Sequence, residues 1–268
     1  AQLFDGVNQA TMMEFVMRCN EGAFVDWAGG TCSFNSDAFK KVLEFVARFP
    51  EDFDYSEDNL STPTKIQNGE VLIDTAGIYD FREMQIYNEI FEGKAVCIGY
   101  PTMDGSAGVL MHSGDVYGLL SGSKNKEGAW AFLESYLSSS MDQFYYSGFP
   151  TKKAELEEMA KEAVKIEYAT DENGEKILDE NGEPIISNAG GGIGYQDGWY
   201  YEYHVPTQAD VDTVMELLKA ARPVSLGNDE IMTIINEEAE AFFKGQKSVD
   251  EVADTIQRRI QTYVSENS

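Results

Sequence analysis

Asp229-Glu-Ile-Met-Thr-Ile-Ile-Asn-Glu-Glu-Ala-Glu-Ala-Phe-Phe243 reads as one amphipathic helix, Lys244-Gly-Gln-Lys247 as a tight turn, and Ser248-Val-Asp-Glu-Val-Ala-Asp-Thr-Ile-Gln-Arg-Arg-Ile260 as a second helix. Ser248-x-x-Glu251 is a capping box, in which the serine hydroxyl takes the N–H at the glutamate and the carboxylate reaches back to the serine N–H. Beyond it, Val249, Val252, Ala253, Ile256, Ile260 and Tyr263 recur at helical spacing.

Working back from this tail, Thr207-x-x-Asp210 is a variant capping box opening a helix with Val211, Val214, Leu217 and Leu218 on one face. A Gly-rich, aromatic loop at 189–204 precedes it. Before that, Asp-Glu-Asn-Gly-Glu occurs twice, starting at Asp171 and Asp179. Asn-Gly tolerates positive φ at both turn positions, so each copy is a turn flanking a short strand. Helices are expected over 152–165 and after Ser123 as its cap, with Ala129, Trp130, Leu133, Tyr136 and Leu137 inward. The runs 115–120, 95–101 and 71–77 read as short strands, 80–92 as a helix and 51–63 as a surface loop. Asn35 or Ser36 caps a helix whose stripe is Phe39, Val42, Leu43, Val46 and Phe49, and Pro50 stops it. Phe24 to Phe34 is a hairpin around Gly29-Gly30, and 11–18 is the apolar part of a first helix. Helices interspersed with short strands make an α/β chain.

The chain has 268 residues, 43% of them apolar, enough for one large domain or two small ones. Its 47 acidic residues face 20 basic ones, a net charge of −27. Such a field repels a nucleic-acid backbone and an anionic membrane surface alike, and it keeps a secreted protein dispersed as a monomer. No run of about 18 apolar residues is long enough to span a bilayer, and no basic, then apolar, export signal stands at Ala1. The three cysteines, Cys19, Cys32 and Cys97, give neither a disulfide framework nor a zinc pair. Cys19 and Cys32 flank a turn-rich segment and either bridge or serve as small buried apolar residues.

Catalytic patterns are poorly supplied. The two histidines, His112 and His204, lie away from any Gly-x-Ser-x-Gly turn. Gly190-Gly-Gly-Ile-Gly194 lacks a complete phosphate-binding fingerprint, and the twin Asp-Glu-Asn-Gly segments place glycine too early for a calcium loop. No carboxylate pair stands out as a glycosidase would require; Glu237, Glu238 and Glu240 flank an apolar stripe as a solvated face does. No metal and no cofactor is expected. Aromatic residues carry the positive signal: 14 tyrosines and three tryptophans cluster at Trp27, at Tyr79 beside Asp80, and at Trp199-Tyr200-Tyr201. A sugar ring packs its C–H face on an aromatic plane while carboxylates and amides take its hydroxyls. Tyr79 follows a glycine at the end of an apolar run, the place where α/β folds hold ligands.

Three blocks of the chain resemble the extracellular solute-binding proteins of ABC importers, in their family 1, sugar-binding group. Gly69-Glu-Val-Leu-Ile-Asp-Thr-Ala-Gly-Ile-Tyr-Asp80 is similar to the strand and loop that deliver a ring-stacking aromatic, with Tyr79 at that aromatic position. Ile98-Gly-Tyr-Pro-Thr-Met-Asp-Gly105 and Tyr117-Gly-Leu-Leu-Ser-Gly-Ser-Lys-Asn-Lys-Glu-Gly-Ala-Trp-Ala-Phe-Leu-Glu134 look like the interlobe crossing and its helix. The tail, with Phe-Phe-x-Gly-x-Lys-Ser-x-x-Glu-Val-Ala, is the third block. Where maltodextrin-binding members carry another stacking aromatic, this chain has Met232, close to Asn228 and Asp229.

The resemblance implies a periplasmic-binding-protein type II-like fold. Residues 1–99 and 149–268 would form the C-terminal lobe and 100–148 a crossing and a piece of the N-terminal lobe, whose remainder would lie upstream. It also implies a non-enzymatic binder that captures an oligosaccharide between the lobes, with Tyr79, Asp80, Trp199, Tyr200, Asn228, Asp229 and Met232 at the cleft. Delivery would be to ABC permease subunits, from an extracellular position held by an upstream lipid anchor. The rivals are a peptide or polyamine receptor on the same scaffold and a glycan-degrading enzyme.

Overall fold

The computed structural model describes residues 2–52, 59–106, 108–112, 117–138, 148–223 and 229–268. Helix α1 (Gln9–Phe24) begins where the Asn8 side chain accepts the Thr11 N–H. It runs into a hairpin of β1 (Val25–Asp26) and β2 (Thr31–Cys32), antiparallel with Val25 opposite Cys32. Ser36 caps α2 (Asp37–Val46) by accepting the Phe39 N–H, and Ser61 caps the short α3 (Thr62–Gln67). Next come α4 (Glu83–Ile90), β3 (Leu110–Met111), α5 (Lys126–Ser138) and α6 (Lys153–Ala163). A second hairpin, β4 (Gly192–Gly194) with β5 (Tyr200–Glu202), leads to α7 (Gln208–Ala220). The chain closes with β6 (Arg222–Pro223), α8 (Asp229–Phe243) and α9 (Val249–Asn267). At 45% helix against 10% strand the chain is mixed α and β, and helices do most of the enclosing.

The main core joins the first helices to the last. Met13, Phe34, Phe39, Leu43 and Val46 meet Ile235, Ala239, Val252, Ile256 and Ile260, all with no exposed surface. Apolar burial at about 25 cal/mol per Å² makes this the main favourable contribution holding α1, α2, α8 and α9 together. Polar groups are matched as closely. The Gln257 amide on α9 donates to the Cys32 carbonyl at 3.0 Å and accepts the Phe34 N–H at 2.6 Å, so one side chain holds the hairpin end. Two smaller clusters lie apart. Ile66, Val71, Ile86 and Ile90 gather with Trp199 and Tyr201, and Phe81, Met84, Val211 and Val214 join α4 to α7 under Leu156 and Met159 of α6.

Both capping boxes form, at Thr207/Asp210 and Ser248/Glu251, as do the first hairpin and the α2 stripe of Phe39, Leu43 and Val46, although α2 ends at Val46 and Phe49 lies past it. The twin turns at Asp171 and Asp179 flank isolated bridges, Thr170 with Lys176 and Leu178 with Pro184. Other expectations are corrected. The run 71–77 is extended but is no strand: Val71 bridges Gln2, the Leu72 and Ile73 amides bond to Gln2 and Leu3, and pairing ends there. In 95–101 a single parallel bridge joins Gly99 to Gly108, leaving Val96 79% exposed. Of the strand expected over 115–120, Asp115 and Val116 lie outside the described residues, and 117–120 has no pairing. Asn125 rather than Ser123 caps α5, its side chain accepting the Gly128 N–H at 3.1 Å. Trp130, expected inward, is 55% exposed, because no described element covers that face of α5. No Cys19–Cys32 bridge forms. All three cysteines are free, and the Cys32 thiol instead faces α9 at the Gln257 carbonyl, 3.8 Å away.

Candidate ligand site

The site grows from the end of the extended run 72–79. Its ring end is Tyr79, 58% exposed, folded back over Gly77 so closely that a Cβ there would sit 2.8 Å from the Tyr79 ring. Asp80 turns the chain into α4. Its carboxylate accepts the Arg82 N–H at 2.6 Å and meets the Arg82 guanidinium through Nε at 3.1 Å and Nη2 at 2.6 Å. The same guanidinium stands 5.9 Å from the Tyr203 ring centre. It also fills the space over Gly190, where a Cβ would come within 2.2 Å of Nη1 and where φ is +97°. A glycine-rich loop is thereby seated against α4. Gln85 completes the seat with paired 3.0 Å bonds to the His204 backbone.

That loop is a hairpin rather than irregular chain. Asp197-Gly198 makes its turn, with Gly198 at φ +91°, and this dipeptide was the sequence signal for it. Asp197 also accepts the Ser61 N–H at 2.8 Å and the Thr64 hydroxyl at 2.7 Å, tying the turn to α3. These bonds hold its carboxyl well below the usual range. Trp199 sits partly buried in the Ile66–Ile90 cluster, edge-on to Tyr195 with centres 5.8 Å apart. Its role there is anchorage. Tyr200, in contrast, is exposed, with its hydroxyl end against Gly192.

A group that sequence reasoning missed completes the face. Asp74, half-buried on the extended run, has its carboxyl raised by burial, with the Thr75 N–H opposing and Asp5 adding to the shift. Burial raises the phenol of Tyr87 on α4, as Asp74 does too, while the Gly77 amide opposes. Tyr195 and Tyr100 are raised by burial first and also feel Asp74. Tyr203 is raised by burial, then by Glu83 and Asp80. Asp74 thus acts on three phenols, those of Tyr87 on α4, Tyr100 and Tyr195, and no local spacing announces that grouping.

The remaining expected residues fall elsewhere. Asp229 is the exposed first residue of α8, and Met232 lies half-buried against the main core, so neither joins the tyrosine face. Asn228 lies outside the described residues. His112 and His204 are both exposed. Two cavities, about 500 Å³ beside the start of α9 and about 350 Å³ between α4, α7 and Cys97, contain none of the expected site residues. Among the described residues no group of three or more His, Cys, Asp or Glu could hold a metal, and no helix is long and apolar enough to cross a membrane. No protein-family model matches the chain, and no curated protein matches it.

Proposed function

We propose that this chain is the solute-binding component of an ABC importer, taking an extracellular carbohydrate, probed first as an oligosaccharide, between two lobes and passing it to membrane permease subunits. The observation that carries the reading is the exposed Tyr79 ring beside the Asp80 carboxylate at the start of α4, a ring to stack and an acceptor for hydroxyls. The family resemblance at Gly69–Asp80 supports it independently. Residues 1–99 and 149–268 would make one lobe. Residues 100–148 would cross toward the other, a division supported by the absence of any described side chain of 100–138 from the three apolar clusters. Tyr79, Asp80 and Tyr200 are then the parts of this lobe that face cargo. A lipid anchor and a monomeric state belong to the same proposal.

Titration of the full chain with maltotriose, cellotriose and xylotriose, followed by calorimetry and by tyrosine resonances, tests it. One neutral saccharide is expected to bind saturably, and Tyr79→Ala to weaken it by about 3- to 10-fold, the worth of one ring stack. Spermidine and a tripeptide run alongside. A receptor for amines is the second reading, favoured by the lack of an ion pair to Asp74 among the described residues. Saturation by spermidine or the tripeptide alone would overturn the carbohydrate reading, and turnover of a chromogenic glycoside would replace it with an enzyme.

A further inference from the structure

We infer that residues 165–188, built from the twin Asp-Glu-Asn-Gly-Glu turns, form a docking knob for a protein segment that carries lysine or arginine beside apolar side chains. This surface is separate from the cargo site proposed above and stands whether or not that site takes a sugar. Its frame is a closed ring of backbone bonds. The Ala169 N–H donates to the Ile185 carbonyl, the Ile185 N–H to that of Ile177, and the Ile177 N–H to that of Ala169, each at 2.9 Å. Bridges flank the ring at Tyr168 with Ile186, Thr170 with Lys176 and Leu178 with Pro184. Each turn is locked by its leading aspartate. Asp171 accepts the Asn173 and Glu175 N–H groups at 2.8 and 2.9 Å, and Asp179 those of Asn181 and Glu183 at the same distances. Asn188 closes the base, accepting the Glu167 N–H at 2.9 Å and donating to the Lys165 carbonyl at 2.7 Å. The unit is therefore preorganised, and little ordering remains to oppose binding.

The side chains on this frame are left without cover. Ile166, Tyr168, Ile177, Leu178, Ile185 and Ile186 are all exposed, Ile166 and Leu178 at 54%, and none of them belongs to the three apolar clusters. So many large apolar side chains gathered in one short exposed unit mark a contact surface. Seven carboxylates stand among them against two lysines, a local net charge of −5. Both lysines are taken, Lys165 by Glu162 outside the knob and Lys176 by the Tyr168 ring, 3.4 Å from its centre. None of the knob's five glutamates has an ion pair among the described residues. Cations on a partner answer these carboxylates, and an apolar strip answers the isoleucines, as at the rim and centre of protein interfaces. A second copy of this chain would instead bring like charge against like. Strand addition is disfavoured too, because the ring uses the N–H and C=O of all three central residues.

The test titrates the full chain with a short amphipathic peptide, leucine on one face and lysine on the other, by calorimetry and two-dimensional amide spectra. Expected is saturable one-to-one binding, with shifts confined to 165–188 and affinity falling as salt is raised. The double variant Leu178→Ser/Ile186→Ser keeps every charge and should weaken the peptide ~10-fold or more, as loss of interface anchors does. Both side chains are exposed, so the variant is expected to fold, and its amide spectrum checks this. The location of the shifts in the wild type needs no variant. A leucine–glutamate peptide of the same length should not bind. Shifts spread over the whole acidic surface, or equal affinity in the serine variant, would leave only the bare field of a chain of net charge −27 and overturn the inference. So would a dimer by light scattering that the variant abolishes, capture by phosphatidylcholine vesicles that it abolishes, or binding of no peptide. None of these outcomes touches the trisaccharide titration, whose result stands apart.

Discussion

Two regions of this molecule are equally apolar in sequence and end in opposite conditions. In α1, α2, α8 and α9 the large side chains are sealed, Phe39, Leu43, Ile256 and Ile260 without any exposed surface. Between residues 95 and 132, Val96, Ile98, Leu120, Trp130 and Phe132 stand in solvent, Leu120 at 81% exposure and Phe132 at 68%. The difference is one of neighbours. The helices of the first group meet at matching apolar stripes, whereas no described element lies over α5, and the 95–101 run touches α1 and α4 through Tyr100 and Cys97 while Val96 and Ile98 stay uncovered. Apolar content and helical period specify that a face wants covering; they do not specify that the cover is present.

Mutations can break or sharpen that contrast. Phe39→Ala should cost the most, about 3–5 kcal/mol in urea unfolding, because a buried aromatic leaves a cavity the helices cannot close. Gln257→Ala should follow at about 1–3 kcal/mol, since it strands the Phe34 amide and the Cys32 carbonyl together. Ser248→Ala, removing the cap of α9, should cost about 1 kcal/mol on the same scale. Acid should have a local effect at Asp197. Its folded carboxyl is depressed, so its contribution is complete above the unfolded value of about 4 and is lost as pH falls through the lower folded one. The Trp199 indole resonance should therefore shift below about pH 4 in the wild type and stay flat in Asp197→Asn. Smallest of all, Phe132→Ser and Trp130→Ser should change stability by no more than about 0.5 kcal/mol. A loss there comparable to that of Phe39→Ala would mean the two regions are not different after all.

What the sequence disclosed follows the same divide. Ser248/Glu251 and Thr207/Asp210 were legible because both partners of a capping box lie within one turn, and so was the stripe of α2. Tyr79 and Asp80 stood out as adjacent residues just past Gly77-Ile78, and the structure shows Tyr79 exposed and Asp80 paired with Arg82. The raised carboxyl of Asp74 was not legible, since it comes from burial and from Asp5, 69 positions away. Nor did the sequence say that Trp199 would serve as an anchor while Tyr200 stayed exposed, because the seating of that hairpin depends on Arg82, Gln85 and Gly190. The strand expected over 71–77 failed for a similar reason. An apolar run becomes a strand only where a second run pairs with it, and here Gln2 and Leu3 offer pairing for two residues.

The union of α1 and α2 with α8 and α9 has a consequence for how the protein is made. On the ribosome, the inward faces of Met13, Phe39 and Leu43 emerge 192 or more positions ahead of Ile235 and Ile256, the partners that complete their core. Through that interval the nascent chain carries greasy helix faces without their final cover, a state suited to holdase chaperones.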